Sequence, residues 1–185
     1  ILAGGIGERF WPMSRSKRPK QLLKIISDKT MIEETIKRVK SLCCGDVLPL
    51  IVTGENIAET MRNVLPESLK YDLIAEPVGK NTAPAVALAA RFIQEKYGDS
   101  VMLVLSADHD IQTEAQFIDA VHSAVSLTDK QKALVVFGIK PTRPETGYGY
   151  IEIGESVELT SPVPCYKVKR FVEKPDAQKA EEFLK

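Results

Sequence analysis

Short apolar runs alternate with helix-like patterns along most of the chain, and this alternation restricts the fold more than any other feature. The runs have the length of buried strands, and each is followed by a stretch whose apolar residues recur at helical spacing. Strands that alternate with helices predict an α/β fold with a Rossmann-like, doubly wound, mostly parallel sheet and right-handed crossovers. The predicted strands are at 1–3, 48–53, 73–75, 101–105 and 133–138.

The boundaries of the helices are marked by capping and stop signals. Thr30 and Glu33 have the spacing of a capping box and predict a helix that runs to about residue 42. Pro66 ends the second helix, and Gly98 ends a third over 82–97. The apolar faces that support the first, second and fourth helices are Ile32, Ile36, Val39 and Cys43; Ile57, Met61, Val64 and Leu65; and Phe117, Val121, Ala124 and Val125.

The alternation of strands and helices stops near the end of the chain. Two strand patterns, at 150–153 and 165–172, follow one another without a long helix between them, which predicts an antiparallel piece. Asp176 is then in position to cap a last helix.

Composition limits the class of protein. The chain has 185 residues, 44% of them hydrophobic, and a formal net charge of +0, which favours one buried core and disfavours a broad basic surface for nucleic acid. No apolar run of about 18 residues and no leader pattern is present, so we expect a cytoplasmic protein without a membrane partner. The 3 cysteines contain no C-x-x-C pair, so neither a disulfide framework nor a zinc site is indicated.

Both ends of the sequence look cut, because Ile1 lies inside a strand pattern and Lys185 inside a helical one. We therefore expect residues 1–185 to be one catalytic domain, truncated at both ends.

The first strand leads into a loop rich in glycine and basic residues. Gly4, Gly5 and Gly7 allow the backbone to approach a ligand closely and to expose amide groups to phosphate oxygens. Arg9 and Lys20 add cationic side chains. A dinucleotide fingerprint needs glycine where Phe10 stands, so that common phosphate motif does not fit. A Walker A loop does not fit either, because no G-K-S/T sequence is present.

Five segments in order resemble one family. They are G-G-x-G-x-R with P-M-S-R and P-K-Q after it, EPVGKNTAPA, SADHDI, RPETGYGYIEIG and FVEKPD. Together they are similar to the nucleotide-diphospho-sugar pyrophosphorylases, and among these to the mannose-1-phosphate guanylyltransferases.

The resemblance implies transfer of GMP from GTP to mannose 1-phosphate, giving GDP-mannose and pyrophosphate. The phosphate oxygen of the sugar attacks the α-phosphorus in line, with help from Mg²⁺ or another divalent cation. Homo-oligomers formed through regions absent from this sequence are also implied. The resemblance assigns catalysis to Arg9, Lys20, Asp108 and Lys174, the metal to Asp108, and the sugar phosphate to Tyr148, Gly149, Glu173 and Lys174.

Nucleotide binding is expected at the carboxyl ends of the first strands. Glu76 is a candidate reader of guanine, because a carboxylate accepts hydrogen bonds from both N1–H and the exocyclic amine. The backbone of the following loop is an alternative reader, and Asn81 or Thr82 serving only as a helix cap is another interpretation. The predicted nucleotide-binding residues are Leu2, Ala3, Gly4, Gly5, Gly7, Arg9, Lys20, Glu76, Gly79, Asn81 and Thr82.

Two other functions remain open at this point. One is nucleotidyl transfer with another base or sugar phosphate, and the other is a non-catalytic subunit that senses nucleotide sugars. Many family members carry Arg at the position of Lys80 and Pro at that of Ser106. Neither change removes a required group, but both bear on fine specificity.

Overall fold

The computed structural model describes residues 1–5, 10–15 and 18–184. The chain divides into two compact units, Ile1–Glu114 and Ala115–Lys185. Each unit is described by itself below.

The sheet of the first unit is parallel. Strand β1 (Leu50–Gly54) pairs with β2 (Asp72–Glu76) in the register Leu50↔Asp72 to Gly54↔Glu76. Leu2 extends this sheet on the other side of β1, because it forms parallel bridges to both Val52 and Ser106. The order is therefore β2, β1, the first residues of the chain, and then the segment around Ser106. Strand order reverses beside the first segment, as in Rossmann-like sheets, where ligands bind next to the reversal.

Helices cover both faces of this sheet. Helix α1 (Met31–Lys40) begins at the predicted capping box, since the Thr30 hydroxyl accepts from the Glu33 amide and the Glu33 carboxylate accepts from the Thr30 amide. Helix α2 (Glu55–Val64) stops before Pro66, and α3 (Thr82–Tyr97) ends at Gly98, whose φ of 79° suits glycine. The predicted boundaries of α3 are confirmed.

Side chains of β1 alternate between two apolar clusters, which is the pattern of a strand that is buried on both faces. Ile51 packs with α1 and α2, whereas Leu50 and Val52 pack with α3. The doubly wound arrangement predicted from the sequence is thereby confirmed. The buried members of the larger cluster are Ala3, Leu22, Ile32, Ile36, Ile51, Ile57, Met61, Leu65 and Ala107.

The second unit contains an antiparallel pair. After α4 (Glu114–Lys130), strand β3 (Tyr150–Val157) pairs with β4 (Cys165–Val172) from Tyr150↔Val172 onward, as the sequence predicted. Asp176 caps α5 (Ala177–Glu182) by accepting a hydrogen bond from the Lys179 amide. The ring of Tyr150 packs against Phe183 just beyond this helix, with 5.3 Å between centroids.

Two strand predictions differ from the structure. The prediction of a strand at 133–138 is wrong, because this segment pairs with no described residue and Leu134 is fully exposed. An apolar run becomes a strand only where a neighbouring edge accepts its hydrogen bonds. The run at 101–105 forms no extended ladder either, but the Leu105 carbonyl accepts a hydrogen bond from the Leu2 amide at 2.7 Å. This end of the run therefore still joins the sheet. No helix within the described ranges is long and apolar enough to cross a membrane.

Candidate functional site

The first strand ends at a carbonyl group that is held from two sides. The Ala3 oxygen accepts hydrogen bonds from the Thr53 hydroxyl at 2.9 Å and from the side-chain amide of Gln21 at 2.5 Å. Thr53 lies on β1, and Gln21 lies in a 3₁₀ turn, Lys20–Leu22. The exposed Gly4 and Gly5 follow directly, so the glycine loop leaves the sheet from a fixed point.

Gly4 lies beside the predicted base reader. A Cβ placed on Gly4 would lie 3.7 Å from Oε2 of Glu76, the last residue of β2. Glu76 is only 9% exposed. The carboxyl ends of the first strand and of β2 thus bring two of the predicted nucleotide-binding residues together.

Gly5 lies beside a second group, which we call the Asp108 cluster: Gly5, Lys20, Ser106 and Asp108. A Cβ on Gly5 would lie 3.6 Å from Cε of Lys20. The Lys20 ammonium donates to Oδ2 of Asp108 in an ion pair, and the Ser106 hydroxyl donates to Oδ1 of the same carboxylate. Burial raises the pKa of Asp108, but the hydrogen bonds from Lys20 and Ser106 outweigh it and leave the pKa below its ordinary value.

The loop between β2 and α3 contains Gly79, Asn81 and Thr82. Gly79 is exposed, Asn81 occupies the N-cap position and Thr82 is the first residue of α3. Asn81 has a φ of 64° and its side chain makes no capping hydrogen bond, so the interpretation of its side chain as the cap is wrong. A non-glycine residue at positive φ is uncommon and is found more often at functional sites.

The predicted sugar-phosphate residues meet at the open end of the β3–β4 pair. With Phe171 they form what we call the Gly149 cluster: Tyr148, Gly149, Phe171, Glu173 and Lys174. The Lys174 amide donates to the Tyr148 carbonyl at 3.2 Å, and Lys174 has a φ of 44°. A Cβ on Gly149 would overlap the Phe171 ring and lie 2.9 Å from Oε2 of Glu173. With any larger residue here, the Phe171 ring and the Glu173 carboxylate would have to shift from these positions.

Comparison with known proteins settles the family, because the nucleotidyl transferase family matches the chain over residues 1–185. The chain belongs to the nucleotidyl transferase family. It is 44% identical to a mannose-1-phosphate guanylyltransferase of Klebsiella pneumoniae and 44% identical to one of Escherichia coli, over 100% of this chain and 39% of each relative.

A solved structure agrees with this assignment of the nucleotidyl transferase fold. It is a crystal structure of mannose-1-phosphate geranyltransferase from Thermus thermophilus, with a TM-score of 0.81 and 34% identity. The match covers 99% of this chain and 51% of that one. The predicted family and fold class are confirmed. The chain spans about 39% of the length of the curated relatives named above.

Asp108 is the predicted ligand for a divalent cation. Within the part of the chain that the structure describes, no group of three or more His, Cys, Asp or Glu side chains could hold a metal ion. Mg²⁺ fits the site nevertheless, because it commonly takes one or two carboxylates and completes its shell with water and substrate phosphates. Asp108, which lies at the carboxyl end of the sheet beside the reversal of strand order, suits that mode.

The structure thus groups most of the predicted residues of this nucleotidyl transferase into two sets, one in each unit. Leu2 bridges to both neighbouring segments of the sheet, and the buried Ala3 donates its backbone amide to the Val52 carbonyl. Both residues therefore belong to the sheet from which the glycine loop starts. Gly7 and Arg9 lie outside the described residues.

Sequence reasoning missed the hydroxyl of Ser106 and the ring of Phe171. The signal for Ser106 was its position two residues before Asp108, from which its hydroxyl reaches that carboxylate.

Proposed function

We propose that the protein to which this chain belongs transfers GMP from GTP to mannose 1-phosphate, releasing pyrophosphate and forming GDP-mannose. The observation that carries the proposal is the Asp108 cluster, which presents an ammonium and a carboxylate beside the glycine loop of a chain matched throughout by the nucleotidyl transferase family. The sugar and the base are those of the mannose-1-phosphate guanylyltransferases that the chain resembles. We also propose that residues 1–185 act as a single catalytic domain.

In the proposed reaction a phosphate oxygen of the sugar phosphate forms a bond to the α-phosphorus of GTP. The bond from that phosphorus to the bridging oxygen breaks, and pyrophosphate leaves with the electron pair. Such a reaction needs alignment of two anions and neutralisation of charge on the leaving group. Lys20 supplies positive charge at the triphosphate, and Arg9 is proposed for the same task.

Asp108 would hold the divalent cation. When bound, the cation neutralises phosphate charge and orients the phosphate oxygens. The Asp108 carboxylate is already ionised and directed toward Lys20, so a cation and a phosphate can replace the contact between these two side chains.

Glu76 is proposed to read the base. Its carboxylate accepts from the N1–H and the exocyclic amine of guanine, a pair of donors that adenine and uracil do not present in that arrangement. The proximity of Gly4 to Glu76 supports this role, because it places the carboxylate beside the start of the glycine loop.

The Gly149 cluster is proposed to bind the sugar phosphate. Glu173 can accept hydrogen bonds from sugar hydroxyls, and the exposed Lys174 can pair with the phosphate. The backbone hydrogen bond between Lys174 and Tyr148 supports this assignment, since it holds the two ends of the hairpin together.

A substrate panel tests the proposal. The full-length protein would be given each of GTP, ATP, CTP, UTP and dTTP with mannose 1-phosphate, glucose 1-phosphate or galactose 1-phosphate, and pyrophosphate release would be measured. We expect the highest kcat/KM for GTP with mannose 1-phosphate. A higher value for another pair would redirect the proposal to that base or sugar. Absence of release with every pair, from protein that still binds a nucleotide, would favour a non-catalytic sensing subunit.

A further inference from the structure

Both oxygens of the Asp108 carboxylate already have a donor. Oδ2 accepts from the Lys20 ammonium and Oδ1 accepts from the Ser106 hydroxyl. The Asp108 side chain is 20% exposed and that of Lys20 is 26% exposed, so both groups are accessible to a ligand. The two donors differ in stiffness, because lysine reaches its partner through four rotatable bonds and serine through one.

Ser106 is presented from a rigid part of the sheet. The peptide groups on either side of it both bond to Leu2: the Leu2 amide donates to the Leu105 carbonyl at 2.7 Å, and the Ala107 amide donates to the Leu2 carbonyl at 3.1 Å. Ala107 is buried in the larger apolar cluster. Asp108 follows in the turn that comes directly after Ser106, and the Ser106 hydroxyl donates to its Oδ1.

We propose that Ser106 is a positioning residue for Asp108: its hydroxyl fixes one carboxylate oxygen, so that the other stays directed toward the phosphate-binding side of the cluster. The inference rests on the proposed function, in which Lys20 and Asp108 act on the triphosphate and its cation. When Lys20 turns from Asp108 to a phosphate group, Ser106 remains as the donor that keeps the carboxylate in its rotamer. A carboxylate that is held beforehand loses less conformational freedom when the ligand binds.

This way of orienting Asp108 requires a side-chain hydroxyl at position 106. The proline that many family members are expected to carry has no side-chain donor, and those proteins must orient the carboxylate by other means. Proline would remove neither of the two hydrogen bonds to Leu2, because neither uses the Ser106 amide. The chain therefore offers two ways to remove the hydroxyl, Ser106→Ala and Ser106→Pro, and one way to retain it, Ser106→Thr.

The experiment compares these variants in the full-length protein, alone and combined with Asp108→Asn. Binding of GTP in the presence of Mg²⁺ is measured by calorimetry without any sugar phosphate, so that no turnover occurs, and kcat/KM is measured separately. We expect Ser106→Ala and Ser106→Pro each to weaken binding and to lower kcat/KM on the order of tenfold, the typical effect of one lost hydrogen bond to a charged group. Ser106→Thr should retain most of both.

In the Asp108→Asn background, Ser106→Ala should cause no further loss, because residues that act through one another are not additive. The matched control is Ser100→Ala, which removes an exposed hydroxyl bonded only to the Gly98 carbonyl and should change neither quantity.

Wild-type behaviour of Ser106→Ala or Ser106→Pro, or an additional loss in the Asp108→Asn background, would overturn the inference. If Ser106→Ala unfolds in a thermal melt, Ser106→Pro and Ser106→Thr carry the comparison. An Asp108→Asn variant with normal binding and turnover would instead show that the proposed function assigns the wrong carboxylate. A severe loss in Asp108→Asn together with a normal Ser106→Ala would contradict the inference alone.

Discussion

The Asp108 cluster and the Gly149 cluster are held in place by different forces. In the first unit, the Lys20 ammonium and the Ser106 hydroxyl both donate hydrogen bonds to the Asp108 carboxylate at the edge of a buried sheet. In the second unit, a backbone hydrogen bond joins Lys174 to Tyr148 at the exposed hairpin. Because Gly149 has no Cβ, the Phe171 ring and the Glu173 carboxylate can lie close to its backbone. One group is organised by charge and the other by shape.

This difference predicts how each group responds to substitution. Isosteric changes that remove charge should be severe in the Asp108 cluster, because the side chains there interact through their ionised atoms. In the Gly149 cluster, the addition of a single methyl group should matter, because the backbone of Gly149 is enclosed by neighbouring side-chain atoms. The following predictions test that contrast.

The largest effect is expected from Asp108→Asn, which keeps the shape of the side chain and removes its charge. The variant should lower kcat about 100- to 1,000-fold at ordinary Mg²⁺ concentrations, the range seen when one preorganised electrostatic group is lost. The thermal unfolding midpoint should change little, because Asp108 is not in the apolar core. Rates near those of the wild-type protein, measured as pyrophosphate release, would contradict the charge-based account.

The substitution Lys174→Ala tests whether substrate binding by the Gly149 cluster also depends on charge. The Lys174 side chain is exposed, and its Cβ already accepts the positive φ, so alanine adds no new backbone strain. We expect KM for mannose 1-phosphate to rise about tenfold or more while KM for GTP changes little, since the expected partner is the sugar phosphate. Lys174→Arg, which keeps the charge, is the matched control. Equal increases in both KM values would assign Lys174 a structural role.

Glu76→Gln tests base reading with a change of one atom. The amide can offer one acceptor atom in place of two, so the preference for GTP over ATP should fall by roughly 1 to 3 kcal/mol. The measurement is the ratio of kcat/KM for the two nucleotides. An unchanged ratio would indicate that backbone groups of the loop at 79–82 read the base.

Gly149→Ala should have the smallest effect and is the sharpest test of the role of shape. The new methyl group would lie 2.8 Å from Cε1 of Phe171 and 2.9 Å from Oε2 of Glu173, so both side chains must move. We expect KM for mannose 1-phosphate to rise about fivefold and the unfolding midpoint to fall by a few degrees, as for an overpacked site.

The double variant Gly149→Ala with Phe171→Leu separates these two contacts. Leucine lacks the outer ring atoms, so the unfolding midpoint should recover, whereas KM should stay raised because the contact with Glu173 remains. Recovery of both would mean that Gly149 serves only the packing of Phe171.

The repeating pattern of the sequence predicted β1, β2 and the first three helices of the first unit, although the run at 101–105 forms no extended ladder. The capping box at Thr30, the ends of α3 and the alternation along β1 are local signals, and local signals agree with the global fold there. The segment at 133–138 shows the limit of this reasoning, because whether an apolar run becomes a strand depends on a neighbouring edge that periodicity does not encode. The side-chain cap predicted at Asn81 is absent, and this residue has a positive φ that the sequence pattern did not indicate.

The residues of the candidate site were suggested by motifs, but their contacts were not. The sequence placed Lys20 and Asp108 after strands, yet they are separated by 88 positions, and only the sheet order brings them together. Gly149 was expected to take part in binding the sugar phosphate. Its close contact with Phe171 depends on the pairing of β3 with β4, in which Tyr150 lies opposite Val172 and Ile151 lies opposite Phe171.

The two hydrogen bonds on the Ala3 carbonyl have a practical consequence for protein engineering. They come from Thr53 on β1 and from the side chain of Gln21, the residue that follows Lys20, so the start of the glycine loop and the turn that carries Lys20 are both held at one carbonyl oxygen. Residues inserted or exchanged after Gly5 can therefore alter the reach of the loop without shifting the origin from which Lys20 extends. A graft of this loop from another nucleotidyl transferase should transfer with least disturbance when Ala3, Gln21 and Thr53 are all kept.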